Sequence, residues 1–287
     1  MKNIAIDFKR LFVLTFYPKM LFKNINFKEV SDLTGCKGAL AAIILAKIAR
    51  QPGVTLLVTQ SPERAKEMHS QILPWLGPQS DRAICMLPER ETVYDQTAAD
   101  PDVLFSRIAA MSLEGRLGGL VIAPVSVLSE RFFAPKFWLK ECFEIKQGEQ
   151  IKRSEFIDRL VKIGYKRVAT VEEKSTFAVR GSLIDLFPPN SEFPFRLDFF
   201  GDDLETIKLF SPQTQRSYDK RDKIYVTPVF EFVTDQDEYS KIEAKVEAEI
   251  PTLDERRAGL LERKLEHFRT APDSRDYKEL RPFVLGR

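Results

Sequence analysis

The sequence is poor in the residues that most catalytic and metal sites need. Two histidines occur in 287 residues, His69 and His267, and three cysteines, Cys36, Cys85 and Cys142, lie far apart. With no CxxC pair and no Cys/His cluster, neither a zinc site nor a histidine-based triad is supported, and no bound metal is expected. An odd count of scattered cysteines argues against a disulfide scaffold and for free cytosolic thiols. Neither sign of charge is in surplus: 44 Lys and Arg stand against 42 Asp and Glu. Whole-chain charge therefore gives no case for nucleic-acid binding, and any basic surface has to be local. Long hydrophobic runs are missing too. The N-terminal stretch MKNIAIDFKRLFVLTFYPKMLF is broken by Asp7, Lys9, Arg10 and Pro18, and its uncharged run, Leu11 to Pro18, is far short of a membrane span. No small-residue cleavage site follows it. The expectation is a soluble, cytoplasmic chain with no membrane partner.

What is present is a chain with 44% hydrophobic and 30% charged residues, enough for one large core or two ordinary ones. The first half alternates strand-like and helical patterns. Ala39–Arg50 is apolar nearly all round, as in a helix buried against a sheet. VTLLVT (54–59), AICMLP (83–88) and the run at 119–123 read as buried parallel strands. Between them, Ser61 followed by Pro62 and Glu63 predicts a capped helix start, and 101–115 predicts a helix ended by Gly115. Strand, helix, strand, helix at this spacing predicts an α/β class with a parallel sheet.

Near residue 142 the pattern changes. CFEIKQGEQI predicts strand, turn and strand, and KRSEFIDRLVKIGY an amphipathic helix with Phe156, Leu160, Val161 and Ile163 on or near one face. Short β runs separated by Gly and Pro turns follow, as expected of a small α+β domain. From about 227 the chain turns helical and charged, with Glu and Lys/Arg at helical spacing. The resulting division is an N-terminal extension at 1–26, a first α/β part at 27–141, an inserted α+β domain at 142–226, and a helical return to the α/β domain at 227–287. The closing RPFVLGR starts an apolar run and stops, so a longer parent is expected.

One stretch looks like a phosphate loop and lacks its chemistry. Such a loop needs G-x-x-x-x-G-K-[ST], with glycine amides facing phosphate, a lysine on the β/γ oxygens and a hydroxyl on magnesium. Set over Asp32 to Ala39, the template meets Asp32 at its first Gly, Lys37 at its second, Gly38 at its Lys and Ala39 at its hydroxyl. Shifting the frame so that Lys37 takes the lysine position puts Cys36 at the Gly and Gly38 at the hydroxyl. The reading is a strand-to-helix turn in which Gly35 and Gly38 supply tight backbone, with no nucleotide chemistry.

The strand-rich part carries a longer pattern: GYKR at 164–167, FAVRGSLIDLFP at 177–188, RLDFFGDDLE at 196–205 and FSPQTQ at 210–215. This resembles the interaction domain shared by the repair protein UvrB and the transcription-repair coupling factors. The first half resembles the coupling-factor family. Only about a dozen residues join Tyr94 to Phe105, too few for the long aromatic hairpin that UvrB carries there, and UvrB keeps an intact ATP loop. The resemblance spans roughly 27–232. It implies a degenerate helicase-like α/β domain and a module that binds UvrA by imitating UvrB. It also implies a parent with a polymerase-binding segment and an ATP- and magnesium-dependent DNA translocase, neither of them in this chain. This chain would then be no enzyme and need no cofactor, and would meet RNA polymerase and DNA only through the parent. A UvrB-type ATP-binding subunit and a DNA-binding module are the alternatives.

The resemblance also implies contact residues. Arg167 stands at the GY-x-R position, Arg180 in the RG pair and Asp198 in R-L-D; Lys166 and Phe177 are their neighbours. UvrB has a second arginine two residues before the RG pair, where this chain has Ala178, and Lys166 supplies charge nearby. As a strand, TFAVRG sends Phe177 and Val179 to one face and Ala178 and Arg180 to the other. An arginine on an exposed strand face is a good two-pronged donor to a partner carboxylate. The alternatives for Arg180 are a solvated strand residue or a pair with Asp198 inside the domain. Phe187, Phe195, Phe199, Phe200 and Phe210 are expected to pack a small core, with room for one at a partner surface. Asp185, Asp202 and Asp203 read as turn or strand-end groups, and Glu89 and Glu91 as a solvated loop.

Titration calorimetry with ATP and magnesium is expected to show no uptake by the chain; micromolar binding at Gly35–Ala39 would overturn the reading of the loop.

Overall fold

A computed structural model describes residues 36, 38–50, 52–76, 83–90, 100–113, 118–130, 135–231 and 236–270. They form two units. One holds the described residues up to 90 together with Leu113–Glu130; the other holds Asp100–Ser112 and the residues beyond 131.

The first unit is the parallel layer that the alternating pattern predicts. Helix α1 (Ala39–Ala49) leads to β1 (Gly53–Thr59), α2 (Pro62–Ile72), β2 (Ala83–Met86) and β3 (Gly118–Pro124). The strands lie in the order β1-β3-β2, all parallel. Ser61 caps α2 by accepting a hydrogen bond from the Arg64 amide at 3.3 Å, with Pro62 at the first helical position. Ala65, Met68 and Ile72 recur every three or four residues, so α2 turns one stripe to the sheet. Alanines on α1 (Ala41, Ala42 and Ala46) let it pack closely in the core formed with Leu57, Leu120 and Ile122.

The second unit begins with α3 (Pro101–Ser112) and α4 (Pro135–Glu141), then β4 (Phe143–Lys146), α5 (Arg153–Lys162) and β5 (Lys166–Arg167). Five strands follow, β6 (Thr176–Arg180), β7 (Leu183–Phe187), β8 (Phe195–Phe200), β9 (Asp203–Phe210) and β10 (Ser217–Arg221). After them come β11 (Lys223–Val226) and the helices α6 (Gln236–Glu249) and α7 (Glu255–Thr270). Six strands form one sheet in the order β10-β9-β8-β7-β6-β5, antiparallel except for the β5–β6 pair, and β4 pairs with β11. The α/β class holds. Drawn by packing, this unit is wider than 142–226: Trp138 of α4 packs on Ile108 of α3 and donates its indole N–H to the Phe230 carbonyl at 2.8 Å. No described helix is long and apolar enough to cross a membrane.

The core lies on one face of the six-stranded sheet. Phe177, Ile184, Leu186, Leu197, Phe199 and Ile207 meet Phe156, Leu160 and Ile163 of the α5 segment, with Ile145, Ile224 and Val226 closing the end. Val161, read as near that face, is exposed, because it follows Leu160 by one residue and so turns away. The segment after β11 is a belt over this core. Tyr165 donates its hydroxyl to the Thr227 carbonyl at 3.0 Å, and the Val229 amide reaches the Ile163 carbonyl at 3.1 Å. Burial pushes the Tyr165 hydroxyl well above its ordinary pKa and the Cys142 thiol up to about 12; Cys142 is half-buried against Ile108 and Trp138.

Gly164 sits under the belt at φ +99°, where an added Cβ would overlap the Phe230 ring and lie 2.5 Å from Val229 Cγ2. Gly164→Ala is therefore expected to destabilise the chain by about 3 kcal/mol in urea unfolding, from backbone strain and overpacking together. Gly148→Ala, at φ +85° but facing open space, is expected to cost only about 1 kcal/mol.

Candidate functional site

Asp185 stands in the middle of β7, between Ile184 and Leu186, with its side chain fully buried. Its strand neighbours are Ala178 on β6 and Arg196 on β8. Cross-strand partners share a face, so Asp185 lies opposite the main core, beside Val171, Ala178, Phe187 and Phe210. A carboxylate there must be paired. Arg196 grips it with both prongs, Nε to Oδ1 at 2.7 Å and Nη2 to Oδ2 at 2.9 Å. Its third nitrogen reaches the Gln215 carbonyl at 3.0 Å, and its plane lies over the Phe210 ring at 4.7 Å. The hydrogen bond to Asp185 raises the Arg196 pKa above its ordinary value. Gln215, at φ +58°, closes the cluster by donating to the carbonyls of Pro212 at 2.7 Å and Val171 at 3.2 Å.

Arg180 joins this cluster from outside. One nitrogen, Nη2, bonds Asp185 Oδ2 and lies 3.5 Å from Gln215 Oε1. Its Nε and Nη1 make no hydrogen bond among the described residues, and its side chain is 42% exposed. Asp185 is already satisfied by Arg196, so it orients Arg180 without consuming it. The partner is Asp185 and not Asp198, one of the alternatives open from the sequence. Asp198 is half-buried and accepts from the Ser182 hydroxyl at 3.1 Å.

The other expected contact residues do not all join them. Lys166 and Arg167 are both exposed on the edge strand β5. Lys166 pairs with Thr176, on the Arg180 face, whereas Arg167 pairs with Phe177. Phe177 itself is fully buried in the main core. It is therefore corrected from a contact residue to a core residue: its face of β6 is covered by α5. Ala178 is buried as well, because the loops around Val171 and Gln215 cover that end of the opposite face. Asp185 is corrected from a turn or strand-end group to the centre of the ion-pair cluster. The signal for it was legible: one charge inside the apolar LIDLF has to find a partner. Among the described residues no group of His, Cys, Asp and Glu is placed to hold a metal ion.

Of the degenerate loop, Asp32, Gly35 and Lys37 lie outside the described residues. Gly38 takes φ +53° and opens α1 with no side-chain cap, and Ala39 is the first helical residue. A methyl group thus stands where a phosphate loop needs its hydroxyl. Glu91 also lies outside the described residues, and Glu89 accepts a hydrogen bond from Ser126.

Residues 143–232 match the family of UvrB interaction domains, which covers all of β4 through β11. The chain is also similar to the transcription-repair-coupling factors of Escherichia coli, at 32% identity over 69% of this chain, and of Haemophilus influenzae, at 34% over 68%. The factor of Myxococcus xanthus is 31% identical over 70%. In each case the match covers less than a fifth of the relative, 17%, 17% and 18% respectively.

Removing the carboxylate leaves Arg196 buried with no counter-charge. Asp185→Ala is expected to cost about 3 kcal/mol in denaturant unfolding, and Arg180→Ala, which leaves the Arg196–Asp185 fork intact, less than about 1 kcal/mol. Equal costs would show that Arg180 is as structural as Asp185.

Proposed function

We propose that this chain, a relative of the transcription-repair-coupling factors bearing a UvrB interaction domain, recruits the repair protein UvrA by presenting a UvrB-like surface. The observation that carries the reading is the state of Arg180. A buried carboxylate holds its guanidinium in place, a second arginine neutralises that carboxylate, and Arg180's remaining donors face solvent. A preorganised arginine fork loses little entropy when it meets a partner carboxylate. Exposed charges of this kind set association rate and register.

Asp198 and Lys166, on the same sheet face, extend the surface with one acid and one further cation. Arg167 lies at the edge strand beside it. The first unit serves as scaffold under this reading: it keeps the helix of a phosphate loop without the loop's hydroxyl. ATP hydrolysis, DNA translocation and contact with RNA polymerase belong to segments of a longer protein, consistent with the small share of each relative that this chain covers. The reading locates the chain in the bacterial cytoplasm, with the DNA under repair.

The purified chain is expected to bind UvrA in calorimetry. Arg180→Ala and the double variant Arg167→Ala/Arg180→Ala are each expected to weaken binding by more than about 1 kcal/mol. Wild-type binding by a double variant with an unchanged circular dichroism spectrum would overturn the site. Steeply salt-dependent binding of the chain to plain duplex DNA would favour the DNA-binding module instead.

A further inference from the structure

Phe200 is the most exposed large hydrophobic side chain among the described residues, at 74%. Strand β8 explains which way it points. Leu197 and Phe199 enter the core, so Asp198 and Phe200 turn to the opposite face, the face of Arg180. Phe200 is the last residue of β8, opposite Asp203, and the Phe199 amide bonds the Ser182 carbonyl at 3.1 Å. The ring therefore stands at the sheet end that carries the β6–β7 turn, two residues beyond Arg180.

This end is rigid. Gly201, at φ +63°, takes the left-handed first position of the β8–β9 turn. Asp202 is held through its carbonyl by the Ile151 amide at 2.7 Å and through its carboxylate by the Arg153 amide at 3.1 Å. The Arg153 guanidinium reaches across to the Gly181 carbonyl at 2.5 Å, tying the two turns together. An aromatic ring carried on a turn held in this way and left 74% exposed adds little to the core, and most of its apolar surface is available to another molecule. Charge shares its face: Asp198 lies two residues back on β8, and Arg180, with unused donors, lies across β7 on β6.

We infer that Phe200 is an apolar anchor of the Arg180 surface. UvrA is its occupant, presenting an apolar recess for the ring next to a carboxylate for the guanidinium. The pairing of one aromatic with one arginine matches the composition of energetically dominant contacts. This inference rests on the proposed recruitment of UvrA.

Surface plasmon resonance of the whole chain over immobilised UvrA separates the two. Phe200→Ser is expected to raise the dissociation rate about tenfold, and Phe200→Leu to stay within about threefold of wild type. Arg180→Ala is expected mainly to slow association and flatten its salt dependence. Phe193→Ser, at the other end of β8 and 42% exposed, is expected to change nothing. If Phe200→Ser binds like wild type while Arg180→Ala does not, the anchor is overturned and recruitment stands. If the wild-type chain fails to bind, both fall. A lowered thermal midpoint in Phe200→Ser would assign the ring to packing and overturn the anchor too.

Discussion

The second unit depends on how one buried carboxylate is neutralised. Asp185 has no exposed side-chain surface, and apolar residues flank it along its own strand. A lone carboxylate there would cost several kcal/mol to ionise. The two-pronged grip of Arg196 removes that cost, and it sets the register of β7 against β8 at the same time. A slip of one residue would turn Asp185 into the Phe177–Leu197 core and Ile184 out of it. The pair therefore specifies the sheet as much as it stabilises it.

The same pair decides which arginine is structural and which is available. Arg196 is 16% exposed and spends all three nitrogens inside the domain; Arg180 is 42% exposed and spends one. From the sequence the two are alike, since both lie on strands whose alternation sends them to one face. Only the cross-strand order separates them. Arg196 sits directly opposite Asp185, where both prongs fit, and Arg180 sits on the diagonal, where one does.

How much of this was legible follows from the range of each signal. Local signals were readable: the Ser61 cap, the α2 stripe, the turn glycines and the division between a parallel layer and a β-rich unit. Phe177 was misplaced because alternation gives two faces without saying which is covered. At Phe177 and Ala178 both are, by the α5 core on one side and by the segments at Val171 and Gln215 on the other. Asp185 was misread because turn chemistry and a buried ion pair use the same residue type. Phe200 was within reach of the sequence: adjacent aromatics on a strand cannot both enter one core, so the Phe199-Phe200 pair had to leave one ring outside. Which one depended on the position of α5 over Phe199, a contact distant in sequence.

The helix that follows Gly38 is held mainly by residues of its own. Gly38, at φ +53°, delivers the chain into α1. What holds that helix is downstream of the loop. Ala41, Ala42, Leu45, Ala46 and Ala49 pack it against α2 and the β1–β3 pair, and none of these contacts needs a phosphate. Ala39 itself is exposed, so its methyl takes no part in that core. The interaction sheet is the opposite case: there the charged residues are the packing. Arg196 cannot be exchanged without leaving Asp185 Oδ1 unpaired, nor Asp185 without releasing Arg180. A sheet built in this way holds Arg180 in place for as long as it keeps its fold.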